Sequence, residues 1–204
     1  MTSNKRFKIF YFSLFLVGFI LSGCFKQPAP VYYYTLASTS SAQVSTGSAD
    51  PTFVSLPNIL LGPIHVASFL DQRQLVTQKS AYSLTLAEQH RWAGDLPEMI
   101  TDVLHSNLSI YLNSEKIHPF PDRNSLQGLQ LELHFLHFEE NENGLAKTAA
   151  RWKIISTETH EILHTETTTC TIDPETKNYD GLVKGLSQGL SLLSDTIATK
   201  IINL

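Results

Sequence analysis

The sequence centres on one alternating stretch, Leu129-Gln130-Leu131-Glu132-Leu133-His134-Phe135. Successive side chains of a β-strand point to opposite faces, so this alternation predicts a strand with one buried face. Two further segments of extended character follow at 145–156 and 161–172, after a polar turn at 139–144 and a short link at 157–160. Connections this short join antiparallel strands, because parallel strands need a crossover of about a dozen residues. The C-terminal half therefore predicts a three-stranded antiparallel meander.

A helix is predicted ahead of the meander. Asp95 can cap its first turn, and Pro97 falls within that turn, where the missing N–H of proline removes no hydrogen bond. Apolar residues then recur at helical spacing. The stripe consists of Leu96, Ile100, Val103, Leu104, Leu108 and Tyr111. One face of this helix is therefore expected to be buried.

A second helix is predicted after the meander, from about Tyr179 to Ile202, with an apolar stripe of its own. Gly181, Gly185 and Gly189 recur beside that stripe. Glycine in a helix interior costs about 1 kcal/mol relative to alanine, so three glycines at this spacing indicate close packing against a neighbour. We expect that neighbour to be another element of the same chain.

Four shorter segments of extended character precede the first helix, at 31–36, 59–69, 74–77 and 83–86. Residues 38–52 are rich in Ser, Thr, Ala and Gly, and predict a flexible loop. Strands, a helix, a meander and a second helix, in that order, predict an α/β fold. Its core would be a mixed β-sheet with a C-terminal antiparallel meander, packed against two main helices.

The N-terminus has the pattern of a lipoprotein signal peptide. A basic cluster ending at Lys8 precedes an apolar run at 9–21, which closes with Leu21-Ser22-Gly23-Cys24. A membrane span needs about 20 apolar residues, whereas a signal-peptide core needs about 7–15. The run therefore predicts a signal peptide at 1–23, with small residues that admit the signal peptidase ahead of the cysteine.

Cleavage would leave Cys24 as the first residue, carrying a diacylglycerol on its sulfur and an N-acyl chain on its amine. Several acyl chains anchor a protein stably, whereas one binds only marginally. Residues 24–30 would then be an acylated tether for one domain at 31–204. Asp after the cysteine retains lipoproteins at the inner membrane of enteric-type bacteria. Phe25 stands there instead, which favours the periplasmic face of the outer membrane.

Cleavage would also remove three of the 15 Lys and Arg residues and none of the 19 Asp and Glu residues, which leaves a net charge of −7. This balance argues against nucleic acid as a partner and against electrostatic docking to anionic lipid. With Cys24 lipidated, Cys170 has no disulfide partner. Its Thr-rich surroundings indicate a small packed side chain rather than a reactive thiol.

The sequence offers little to catalysis or to metal binding. His134 and His137 lie three apart in a predicted strand and point to opposite faces, while His160 and His164 would stand about 13 Å apart if extended. A zinc site needs three or four convergent ligands. The chain has no Gly-x-Ser-x-Gly elbow and no Gly-x-x-x-x-Gly-Lys-Ser/Thr loop. We therefore expect neither an enzyme nor a bound metal or other cofactor.

Three segments occur here in a recognisable order: Tyr32-Tyr33-Tyr34-Thr35-Leu36, then Leu61-Gly62-Pro63-Ile64-His65-Val66 leading into 69–77, then His90-Arg91-Trp92-Ala93. Together they resemble the ABC-type transport auxiliary lipoprotein family over nearly all of the chain behind Cys24. The family usually shows Arg-Pro-Gln after a Leu-Asp pair. Here the stretch reads Asp71-Gln72-Arg73-Gln74, where Arg73 would substitute by a shift of one position.

The resemblance implies a non-catalytic accessory of an intermembrane phospholipid transport system. Such systems combine inner-membrane transporter components with mammalian-cell-entry-type (MCE) proteins, whose rings or tubes carry lipid between membranes. The lipoprotein would sit at the outer membrane as an adaptor for an MCE-domain protein, with a homo-oligomeric ring as a further implication. Two alternatives remain open: a carrier that itself binds a lipid or small ligand, and a structural lipoprotein of envelope assembly.

Six residues are candidates for the partner interface: Arg73, His90, Arg91, Trp92, Tyr32 and Tyr33. One interpretation gives the cluster before the first helix a contact role, because Trp and Arg concentrate binding energy at protein interfaces. The competing interpretation is that Trp92 seals the core while Arg91 bonds a carboxylate such as Asp71 or Asp95. The same two interpretations, packing in the sheet or contact with a partner, apply to the tyrosines at 32–34.

Overall fold

The computed structural model describes residues 29–39, 56–121 and 126–204. Residues from Val31 to Leu204 form one compact unit. Within the described ranges the chain forms eight strands and two helices, and the predicted α/β class is confirmed. The strands are β1 (Tyr32–Tyr34), β2 (Asn58–Val66), β3 (Gln74–Ser80), β4 (Ser83–Trp92), β5 (Ile117–Pro119), β6 (Gly128–Glu140), β7 (Ala146–Ser156) and β8 (Ile162–Ile172). The helices are α1 (Leu96–Tyr111) and α2 (Tyr179–Ile202).

The sheet forks along β6. One edge of β6 pairs with β7, which pairs in turn with β8, and both pairings are antiparallel as predicted. The other edge pairs first with β2, in parallel, from Gly128 to Phe135. Farther along, Glu140 pairs with Thr77 of β3. One branch of the sheet therefore continues through β2 to β5, and the other runs through β3 and β4 to β1.

The start of α1 is as predicted. The carboxylate of Asp95 accepts a hydrogen bond from the backbone N–H of Glu98 at 3.2 Å, and proline lies in the first turn. The predicted stripe is buried except at its end, where Tyr111 is half-buried and its hydroxyl is 2.8 Å from Ser191 Oγ. Burial of this stripe packs α1 against α2 and the sheet, and holds the residues just before α1 in place.

The glycines of α2 confirm the expected close packing within the chain. Asn178 caps the helix by accepting a hydrogen bond from the N–H of Gly181 at 2.8 Å. A Cβ atom added at Gly185 would stand 2.8 Å from Ala146 Cβ, and one added at Gly189 would stand 2.9 Å from Thr148 Cβ. The backbone of α2 thus lies directly on β7. Any residue other than glycine at these two positions would force the helix or the strand to shift.

Two elements differ from expectation. The strand predicted at 83–86 continues as far as Trp92, so the cluster predicted to precede α1 lies in β4. The three residues of β5 were not predicted, because so short a strand shows no periodicity. The signal peptide, Cys24 and most of the loop at 38–52 lie outside the described residues. None of the helices in the described ranges has the length and apolar character needed to cross a bilayer.

Candidate functional site

Five of the six candidate residues lie where β1 meets the end of β4. Tyr32 pairs with His90, Tyr33 with Arg91, and Tyr34 with Trp92. Side chains alternate along each strand, so the Tyr33 and Arg91 side chains share one face of this edge, and the others share the opposite face. The sixth, Arg73, is joined to the same place because its backbone carbonyl accepts a hydrogen bond from Trp92 N at 2.8 Å. The structure therefore brings all six together.

A cleft of about 520 Å³ opens on the Tyr33 face, and we call it the arginine cleft. It is lined by Tyr33, Asp71, Gln72, Arg73, Arg91, Trp92, Ala93, Gly94, Asp95 and Leu96. Two guanidinium groups and two carboxylates thus face one concave surface at the start of α1. Tyr33 is 63% exposed at its rim. The arrangement suits a polar or charged group from another molecule more than an acyl chain.

Arg91 is the least satisfied side chain of the cleft. Its Nε atom is buried and has no hydrogen-bond partner in the described part of the chain. The expected ion pair with Asp71 or Asp95 is not among those that the described residues form, and Asp95 caps α1 instead. An unsatisfied buried donor costs about 1–3 kcal/mol. An acceptor supplied by a bound molecule would recover part of that free energy.

Trp92 serves the core. It is 5% exposed, its ring centroid lies 6.2 Å from that of Phe138, and it belongs to the main hydrophobic cluster. This supports the interpretation that Trp92 seals the core beneath α1. Any effect of Trp92 on a partner would then pass through the position of its neighbours in the cleft.

His90 lies on the other face within a group of rings that we call the histidine stack: Tyr32, Tyr34, His90 and Tyr179. The His90 ring stacks on Tyr179 with centroids 3.8 Å apart and on Tyr32 at 5.3 Å. Tyr34 Oη lies 2.7 Å from His90 Nδ1. Burial raises the pKa of the Tyr34 phenol, and the charge of Asp180 adds to the effect. The phenol therefore keeps its proton at neutral pH. It can donate a hydrogen bond to His90 Nδ1 in the tautomer that has no hydrogen on this nitrogen.

The roles of Tyr179 and Asp180 beside His90 were missed by sequence reasoning. Tyr179 begins α2, and 89 positions separate it from His90. The sequence placed Tyr179 at the start of the second helix, but it did not indicate the contact with His90. Tertiary contact between two distant segments leaves no local pattern.

Elsewhere in the described residues, few side chains are candidates for metal binding or nucleophilic catalysis. No three His, Cys, Asp or Glu side chains converge there in a way that could hold a metal ion. The Cys170 thiol is half-buried, and desolvation raises its pKa, so it stays protonated at neutral pH. That state is poorly nucleophilic. The absence of a cofactor and of enzymatic activity stays a prediction.

The protein is thus an α/β domain with a forked sheet and two covering helices, and its sheet edge carries exposed aromatic residues and charged residues of both signs. The chain belongs to the family described as the ABC-type transport auxiliary lipoprotein component, whose family model matches residues 34–198. No curated protein matches it.

Solved structures share the fold at low sequence identity. A crystal structure described as that of an uncharacterized protein superposes with a TM-score of 0.68 at 19% identity, covering 85% of this chain and 99% of the other. Protein XCC0632 from Xanthomonas campestris superposes with a TM-score of 0.63 at 15% identity, covering 84% and 95%. These similarities concern the fold alone.

Proposed function

We propose that this protein is a lipid-anchored adaptor of an MCE-type intermembrane phospholipid transport system, held at the periplasmic face of the outer membrane by acyl chains on Cys24. Membership of the transport auxiliary family supports a transporter as its partner. The observation that carries the adaptor role is the arginine cleft, where a buried guanidinium nitrogen of Arg91 lacks an acceptor. Its action is binding, without catalysis.

The cleft receives an acidic or carbonyl-bearing segment of the partner. A carboxylate that reaches Arg91 forms a charge-assisted hydrogen bond, which is about twice as strong as a neutral one. Tyr33 at the rim supplies a rigid, exposed ring that covers the contact and excludes water. Asp71 and Asp95 select against segments with misplaced negative charge, so the cleft discriminates among acidic partners.

Charged walls also favour the adaptor over a lipid carrier. A carrier shields acyl chains within an apolar cavity, and four of the ten residues that line the arginine cleft carry a formal charge. The ionised groups lose hydration when an acyl chain covers them, and that loss opposes binding. A phospholipid carried by the system would therefore travel through the partner, and this domain would provide a binding site for that partner.

The test is affinity purification of the tagged full-length lipoprotein from crosslinked envelopes, followed by mass spectrometry. We expect an MCE-domain protein to be recovered with the wild type. Its recovery should fall about tenfold or more with Arg91→Ala and Tyr33→Ala, because truncating an interface hot spot costs about 2 kcal/mol. Ile162→Ala is the matched control, since Ile162 is 59% exposed in β8 on a different part of the sheet.

Three results would contradict the proposal. Equal recovery with Arg91→Ala and Ile162→Ala would remove the cleft from the interface. Recovery of phospholipid without any MCE-domain protein would favour the carrier. Recovery of envelope-assembly factors alone would favour the structural lipoprotein.

A further inference from the structure

The hairpin formed by β3 and β4 projects beyond the rest of the sheet. Its last pairing with another strand of the described chain joins Thr77 to Glu140 of β6. Farther out, β3 and β4 pair only with each other, through Gln78 with Leu84 and Ser80 with Ser83. We call residues 78–86 the hairpin tip. It carries no other strand on either side.

The hairpin tip exposes an apolar surface. Tyr82 is fully exposed, Leu84 is 45% exposed and Leu86 is 43% exposed. Leu84 and Leu86 are two residues apart in β4 and therefore share a face. Lys79 is the one charged residue between Gln74 and Ala87, although the protein as a whole is acidic. Large apolar side chains grouped at a projecting tip without negative charge are typical of a surface that meets a membrane.

β1 begins on the side of the domain where the hairpin tip lies. β1 is parallel to β4, which runs from the tip to Trp92, so the N-terminal end of β1 faces the tip. Tyr33 is level with Arg91, and Cys24 lies nine residues ahead of Tyr33. Nine residues span at most about 30 Å. The anchored end of the chain can therefore lie no farther than this from β1.

The tip lies within the same reach. Gln74 is also level with Arg91, and β3 continues from Gln74 to Ser80 before the turn. Six residues of strand advance about 20 Å. The nine residues from Cys24 to Tyr33 are therefore enough to reach from the level of Tyr33 to the level of the hairpin turn.

We propose that the hairpin tip enters the interface of the phospholipid bilayer and forms a second membrane contact beside the acyl chains. The inference rests on the anchor at Cys24 in the proposed function. Tyr82 lies in the turn and enters deepest, where an aromatic ring with a polar end is favoured, and the exposed faces of Leu84 and then Leu86 follow it into the interface. Two contacts, one covalent and one not, set the orientation of the domain and hold the arginine cleft above the membrane, at a height of less than about 20 Å.

The test uses the full-length lipoprotein in vesicles of phosphatidylethanolamine and phosphatidylglycerol, with and without brominated phospholipid, which quenches nearby tryptophan. Tyr82→Trp puts a reporter at the tip. Its emission should shift to the blue on reconstitution, and about half of it should be lost to brominated lipid. Trp92 and Trp152 are buried and give the same background in every variant.

Ile162→Trp is the matched control. Ile162 pairs with Ile155, and Ile155 pairs with Gln130, ten residues of β6 away from Glu140. This separation is about 33 Å along the strand, so the control should show neither shift nor quenching. Adding Leu84→Ser and Leu86→Ser to Tyr82→Trp should reduce the quenching, because the apolar face that holds the tip in the interface is lost.

Mass spectrometry of the N-terminal peptide shows whether Cys24 is acylated. It therefore tests the anchor of the proposed function separately from the hairpin contact. With Cys24 acylated, equal quenching at positions 82 and 162, or none at position 82, overturns the hairpin contact and leaves the adaptor untouched. Without acylation of Cys24, the proposed anchor fails and the hairpin contact fails with it. Quenching at position 82 that is lost in the leucine variant supports the contact.

Discussion

The face of α2 on β7 and the edge formed by β1 and β4 use space in opposite ways. At the first, glycine brings the helix so near the strand that an added methyl group at Gly189 would stand 2.9 Å from Thr148 Cβ. At the second, a cleft of about 520 Å³ separates charged side chains, and Arg91 lacks an acceptor for a buried N–H. The first region uses its side chains to fix the fold. The second holds open space beside charged side chains, which is the room that the proposed partner needs.

The largest expected effect contrasts one aromatic residue from each region. Trp152 is fully buried under α2 and donates a hydrogen bond from its indole N–H to Thr168 Oγ1 at 3.0 Å. Trp152→Ala should lower the free energy of unfolding by about 3–5 kcal/mol. Tyr33→Ala should change it by less than about 0.5 kcal/mol, because Tyr33 is exposed. Urea denaturation measures both, and a similar loss in the two variants would contradict the division.

A smaller effect contrasts one glycine from each region. Gly189→Ala should destabilise the protein by about 1–3 kcal/mol, because overpacking against Thr148 outweighs the better helix propensity of alanine. Gly94→Ala is the control at the rim of the cleft, where the nearest side-chain atom to an added Cβ is Met99 Cγ at 3.9 Å. Its stability should match the wild type. A stabilised Gly189→Ala would show that α2 can move away from β7.

Substitution of Asp95, which has a role in the fold and also lies in the cleft, should give an intermediate loss of stability. Asp95 caps α1 and also lines the arginine cleft. Asp95→Ala should cost about 0.5–2 kcal/mol in thermal unfolding, as loss of a helix cap does. Asp71→Ala, another exposed carboxylate of the cleft, should cost nothing measurable. Equal effects would mean that the charge of the cleft, and not the cap, determines stability there.

The smallest effect concerns reactivity. Desolvation raises the pKa of the Cys170 thiol, so the thiolate fraction at a given pH is lower than for a free cysteine. The rate of alkylation by iodoacetamide should reach half its maximum at a higher pH than in an unfolded control in urea. Half-maximal reaction at a lower pH than in that control would indicate an activated thiol and would contradict a packing role.

Local patterns made much of the fold predictable. The alternation at 129–135 identified β6, the Asp95 cap identified the start of α1, and the glycine spacing anticipated the packing of α2. Pairing between distant segments was not predictable in this way. β1 lies beside β4 although 58 residues separate Tyr32 from His90, and each contributes only three residues to the pairing. Parallel pairing of this kind leaves no periodic trace in either segment.

The sequence suggested candidate residues for the site, which stay a prediction, but not how they are arranged. Six residues of types associated with interfaces were singled out from the sequence, yet their division between a cleft and a ring stack depends on the register of β1 on β4. The same register buries Trp92 in the core, although it borders the cleft beside its neighbour Arg91. Adjacent residues thus have different roles because a strand exposes alternate faces.

The parallel pairing of β1 with β4 also determines how the domain bears mechanical load. A pull on the N-terminal end of β1 acts along the strand axis, so the hydrogen bonds to β4 are loaded together in shear and are not opened one after another. Just behind β1, Ala37 N donates to Ser187 Oγ of α2 at 3.3 Å, and Ser38 Oγ donates to Asn107 Oδ1 of α1 at 2.6 Å. Tension therefore spreads from one short strand into the sheet and both helices. Under the proposed anchoring at Cys24, a pull exerted by the partner would load the whole domain and not β1 alone.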